Sequence, residues 1–90
     1  MMRHSAAEIL VLKALAWAAR GEALHGFLEQ SGLDADTLRR RVNDPELLGA
    51  FLDFLLADDR LAGAFCTEEE VTPESLRRAR RALPGATPEG

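Results

Sequence analysis

Two stretches of this chain, 5–19 and 43–57, carry apolar side chains on almost every side of a helical wheel. In the first, Leu10, Val11, Leu12, Leu15 and Trp17 cover most of the circumference, leaving a polar wedge around Lys13 and Arg20. In the second, Leu47, Leu48, Phe51, Leu52, Phe54, Leu55 and Leu56 do the same, with Glu46 and Asp53 as exceptions. A helix that is apolar all round has to be buried. The chain has 90 residues, room for one core and no second lobe. Either the two helices form the central pair of a compact bundle, or another chain covers part of their surface. On the second reading Leu12, Trp17, Phe51, Leu55 and Leu56 are the contact residues, for a protein partner or for a second copy in a homodimer.

The remaining residues are also helix formers. Leucine and alanine occur 15 times each, tyrosine is absent and aromatics total 6%, whereas strands favour β-branched and aromatic residues. A single cysteine excludes a disulfide scaffold. Start and stop signals divide the chain into about six helices, an all-α bundle. Ser5 and Glu8 form a capping box for the first, and Gly21 breaks it. The second covers 22–31 and ends at Gly32, suited to a left-handed C-terminal position. Asp34 caps a third helix through 42. Asn43 or Asp44 caps the fourth, with Pro45 in its first turn. Asp58 or Asp59 opens a fifth that ends near Thr67. Thr72 caps the sixth, and Pro84-Gly85 stops it. Residues 5–83 are thus one domain, with flexible ends expected at 1–4 and 84–90.

Sliding the sequence by 38 residues pairs 5–42 with 43–80 and gives seven identities, including Phe27/Phe65, Leu38/Leu76, Arg39/Arg77 and Arg40/Arg78. Composition alone gives about four, so the matching caps matter more: Ser5 falls on Asn43 and Asp34 on Thr72. The pattern suggests two quasi-repeated three-helix units, 5–42 and 43–83. Gly32 falls on Glu70, within Glu68-Glu69-Glu70. A glutamate tolerates a left-handed backbone poorly, so the second turn is expected to be built differently or to be mobile.

Arg3 and His4 before an apolar run, with Ala16-Trp17-Ala18 behind it, mimic a signal peptide, but Glu8 and Lys13 interrupt the run. No uncharged stretch approaches the ~18 residues that span a bilayer. A cytoplasmic protein is expected.

Catalytic chemistry finds little support. Cys66 has no sequence neighbour to activate its thiol and reads as packing. His25 lies off the apolar face of its helix. No His-x-x-His, Cys-x-x-Cys or Glu-x-x-His spacing occurs, so no metal or cofactor is expected. The acidic residues lack the EF-hand pattern, and the glycines form no phosphate loop. An enzyme would need a pocket lined by Asp53, His25 or Cys66.

The arginines are a sharper feature. Seven of the eleven basic residues fall in Arg39-Arg40-Arg41 and Arg77-Arg78-Ala79-Arg80-Arg81. Leu38 turns Arg39 and Arg40 outward, and Leu76, Ala79 and Leu83 leave Arg77, Arg78 and Arg81 on one exposed face. Guanidinium groups suit phosphate and carboxylate, and they equally offset a helix dipole. A net charge of -4 with pI near 5.1 argues against a dedicated nucleic-acid binder. A helix-turn-helix fits poorly as well, because Asp34 and Asp36 stand where base contacts begin.

The run FLEQSGLDADTLRRRVNDPELLGAFLDFLLADDRLAGAF, and within it LDFLLADD, resembles the domain-of-unknown-function family numbered 3572. These are short proteins found chiefly in alphaproteobacteria. The resemblance covers nearly the whole chain and implies a bacterial, cytosolic helical protein. It implies no activity, and TEEEVTPES departs from the Gly-Leu turn expected there. The reading is a non-catalytic protein-interaction module working through Leu12, Trp17, Phe51, Leu55 and Leu56. The alternative is an arginine-dependent binder of nucleic acid or an acidic protein, using Arg39, Arg40, Arg77, Arg78 and Arg81.

Overall fold

Helix boundaries fall at the capping signals in the computed structural model, which describes residues 6–84. The helices are α1 (Ala6–Ala19), α2 (Ala23–Ser31), α3 (Ala35–Arg40), α4 (Pro45–Leu56), α5 (Asp59–Glu69) and α6 (Pro73–Arg81), with no strand among the described residues. Asp34 accepts from the Thr37 N–H at 2.7 Å, Asp44 from Glu46 at 3.0 Å, and Thr72 Oγ1 from Ser75 at 3.0 Å. Asp58 accepts from both Arg60 and Leu61. Each cap satisfies amide groups that have no partner inside the helix. α3 ends earlier than 42, and α5 runs two residues past Thr67. Ser5 with its capping box, the 1–4 segment and 85–90 lie outside the described residues.

Two of these caps make stability depend on pH. The Thr37 backbone amide bonded to Asp34 holds that carboxyl below its ordinary value of 3.8. The Arg41 guanidinium, followed by the Glu46 amide, does the same for Asp44. A carboxyl depressed in the folded state contributes stability above its unfolded pKa and loses it as pH falls below about 4. Asparagine caps as well as aspartate but does not titrate. The Asp34→Asn/Asp44→Asn double variant should therefore melt close to the parent at pH 7 and lose less stability between about pH 4 and pH 2. Parallel acid curves for the two proteins would remove the caps from the acid response.

Glu70 corrects an expectation. It adopts the left-handed backbone itself, φ 56° and ψ 46°, as Gly32 does at φ 80° and ψ 7°. It is the one non-glycine residue with positive φ among those described. The turn is a Schellman-type closure: the Val71 N–H reaches back to the Cys66 carbonyl at 3.0 Å, and Val71 packs half-buried against the core. These contacts outweigh a backbone cost of roughly 1–2 kcal/mol. Glu70→Gly removes that cost but loosens the unfolded chain. It should raise stability by about 0.5–1 kcal/mol, a Tm gain of a few degrees that a thermal melt reads directly.

The principal packing runs between α1 and each of α2, α4 and α6, and between α4, α5 and α6. Val11, Ala14 and Ala18 of α1 and Leu48, Leu52 and Leu55 of α4 have no exposed surface, and Phe27, Phe65 and Leu76 close over them. The radius of gyration, 12.2 Å, matches about 12 Å for a single compact domain of this length. The two apolar helices are therefore covered by the chain's own elements. Each keeps a narrow solvent stripe in which alanines stand beside the polar residues: Ala6, Ile9, Lys13 and Ala16 on α1, and Glu46, Ala50 and Asp53 on α4. An exposed alanine adds little apolar area and stabilises the helix. Among the described residues no helix is long and apolar enough to cross a membrane.

Candidate interaction surface

Of the five apolar contact candidates, two are core. Phe51 is 1% exposed and Leu55 fully buried, which removes both from any contact surface. The Phe51 ring meets Phe27 edge-on at 5.2 Å and lies 6.2 Å from Phe54. Leu12 and Leu56 are half-buried against the same core. Trp17 is occupied within the chain. Its ring meets Phe65 edge-to-face at 5.4 Å, and its indole N–H donates to Glu68 at 2.7 Å. The next residue, Glu69, receives Arg20 at 3.0 Å and lies 3.9 Å from Lys13. Glu68 and Glu69 thus tie α5 to α1.

The arginine clusters behave differently from each other. On and after α3, Arg39 pairs with Asp36 at 2.9 Å and Arg41 with Asp44 at 2.6 Å, while Arg40 reaches only the Thr37 hydroxyl at 3.4 Å. Local carboxylates largely neutralise this cluster. On α6, Arg77 stands 3.6 Å from Glu74. Arg80, which sequence reasoning did not single out, is the least exposed arginine of the cluster, its side chain 13% exposed. It grips Asp53 of α4 through Nε at 2.6 Å and Nη2 at 3.0 Å, and its Nη1 donates to the Leu83 and Pro84 carbonyls. The wheel held the signal, because at about 100° per residue Arg80 falls within about 60° of the inward-facing Leu76 and Leu83, and about 160° from Arg78. Arg78 and Arg81 are exposed and make no ion pair or hydrogen bond among the described residues.

Arg78 edges an open groove of about 640 Å³ between α1 and α6. Ala7 and Leu10 form its α1 wall, Ser75, Ala79 and the capping Ala82 its α6 wall, and Val71 of the α5–α6 turn adds to it. Glu70, with its left-handed backbone, lies at one end. Ile9, 58% exposed, is the one large apolar side chain that is exposed among the described residues. It lies about 60° round α1 from the groove-lining Ala6, on the side away from Ala7 and Leu10. Neither wall was legible as a unit in the sequence, since the groove arises where the first and last helices meet.

The residues weighed for catalysis do not converge. His25 is on the open face of α2 against Glu29 at 3.1 Å. Asp53 is held by Arg80 and edges a shallow recess with Phe27, Gln30 and Phe54 that includes neither His25 nor Cys66. Cys66 is buried, and burial pushes its thiol up despite the charge of Arg77, away from the reactive thiolate. Among the described residues no three His, Cys, Asp or Glu side chains could hold a metal ion.

Searches of curated proteins and of solved structures find nothing similar to this chain. A family model described as "Protein of unknown function (DUF3572)" matches residues 4–86. The match takes in all six helices, the groove and both arginine clusters, and the chain belongs to that family.

Proposed function

We propose that the protein is a non-catalytic interaction module of the bacterial cytoplasm, and that the groove between α1 and α6 is where a partner protein docks. One observation carries this reading. Among the described residues the bundle buries or half-buries its large apolar side chains except Ile9, and Ile9 stands one step of about 60° round α1 from Ala6, a lining residue of an apolar groove edged by the unpaired Arg78. Apolar surface rimmed by polar groups is what protein contacts use. The groove replaces Phe51 and Leu55, which the fold itself consumes.

The α2–α3 and α5–α6 junctions add a second element to the proposal. Left-handed residues at 32 and 70, and side-chain caps at 34 and 72, recur at the spacing of the sequence alignment. They support two copies of one three-helix unit, with the groove lying between the first helix of one copy and the last helix of the other.

Site-specific crosslinking tests the docking surface. A photoreactive residue at Ile9 should give a discrete adduct in bacterial cells, and the exposed His25 position on α2 should give none. The adduct should disappear when Ala6→Trp obstructs the groove. Adducts at His25 alone, or adducts indifferent to Ala6→Trp, would place the contact elsewhere.

A further inference from the structure

The groove's dimensions and charge specify what would fill it. We propose that its occupant is an amphipathic α-helix of a partner protein, with Asp or Glu beside its apolar stripe; this rests on the groove being the docking surface. Along α6 the lining runs from Thr72 to Ala82. Ten residues of helix rise about 15 Å, or nearly three turns. That length suits a partner helix presenting apolar residues at i, i+3 or i+4, and i+7. No strand exists among the described residues for an extended peptide to join. The groove walls also lack the aromatic side chains on which polyproline ligands stack.

Charge selects among helices. Around α6, with Arg78 taken as zero, Ala79 lies at about 100° on the buried side, Ala82 and Ser75 at about 40–60°, and Arg81 at about -60°. The surface therefore passes from apolar floor to small side chains to Arg78 and on to Arg81, with Glu74 between the two at about -40°. Arg80 on the opposite side is spent on Asp53, and Arg77 has Glu74 within 3.6 Å. Arg78 and Arg81 are the α6 cations with no carboxylate of their own among the described residues. Arg78 stands at the edge where a bound helix would place the residues flanking its stripe, and Arg81 lies about 60° beyond it. A guanidinium there can accept a carboxylate through two parallel hydrogen bonds, and would repel a basic stripe of the same shape.

The probe is a displayed library of random peptides about three to four helical turns long, selected on the intact protein. Selected sequences should be enriched in Asp and Glu beside an apolar i, i+3/i+4, i+7 pattern. Their affinity should fall about tenfold or more in Arg78→Glu and weaken with added salt. It should be lost in Ala6→Trp and in Ala82→Trp, which obstruct the groove from its two walls at exposed positions. Arg78→Glu and Ala6→Trp should melt close to the parent, separating lost binding from lost folding. Peptides without acidic enrichment that Ala6→Trp still blocks would overturn the charge assignment and leave the groove standing. Peptides indifferent to all three variants would overturn both. A single-stranded RNA that binds more tightly than any peptide, in an Arg78-dependent way, would overturn the helical partner in favour of nucleic acid.

Discussion

Phe51→Ala should destabilise the fold by about 3–5 kcal/mol, the range for deleting a buried aromatic side chain. A domain of this length has roughly 5–13 kcal/mol in total, so the loss is a large fraction of the whole. The expected melt is lower by about 15 °C or more. The site leaves little opportunity for collapse. Phe51 is 1% exposed and forms a triangle of rings with Phe27 at 5.2 Å and Phe54 at 6.2 Å, Phe27 meeting Phe54 at 5.4 Å. Removing this ring strips two aromatic contacts and opens a void between α2 and α4. Phe51→Leu keeps most of the volume and should cost much less. The pair of variants separates two roles that sequence alone could not. A contact residue tolerates alanine in the free protein and loses only its partner. Circular dichroism melts at several protein concentrations decide the matter: a Phe51→Ala protein melting within a few degrees of the parent would return Phe51 to the surface.

What the sequence revealed was local, and what it concealed was tertiary. Asp34, Asp44, Asp58 and Thr72 were readable as caps because a cap bonds an amide two or three residues away. Leu76, Ala79 and Leu83 were readable as the inward face of α6 because three- and four-residue spacing is a property of one helix. Trp17 was not readable in the same way. Its partner Glu68 is 51 residues distant, and no periodicity links an indole on α1 to a carboxylate on α5. Glu70 misled for a different reason. Its backbone preference opposes the conformation it holds, and the bond from Val71 to Cys66 decides the outcome. The apolar candidates were selected by hydrophobicity, which identifies what must be buried and does not say by which chain. The arginine candidates were selected by exposure on a wheel, and Arg78 and Arg81 remain exposed for that reason.

Gly49→Ala should destabilise the parent and become neutral or stabilising once Arg80 is alanine. Arg80 spans from α6 to Asp53 on α4, and its guanidinium lies over Gly49. A methyl group there would stand 3.1 Å from Arg80 Nη1, 3.3 Å from Cζ and 3.1 Å from the Pro84 carbonyl oxygen. Glycine in a helix interior costs about 1 kcal/mol relative to alanine, so its presence in α4 needs a packing reason, and the clamp supplies one. Arg80→Ala alone should cost about 1–2 kcal/mol. The guanidinium is largely buried and makes two bonds to the carboxylate, which favours the upper end. Asp53 is 59% exposed, and water weakens the pair toward the lower end. In the parent, the alanine methyl forces the guanidinium off Asp53 and strains the Leu83–Pro84 turn, outweighing the helix-propensity gain. With Arg80 gone, the methyl has only the Pro84 carbonyl to displace, and the propensity gain is expressed. A double-mutant cycle in urea measures the coupling. Additive costs at the two positions would show that Gly49 serves something other than the arginine lying across it.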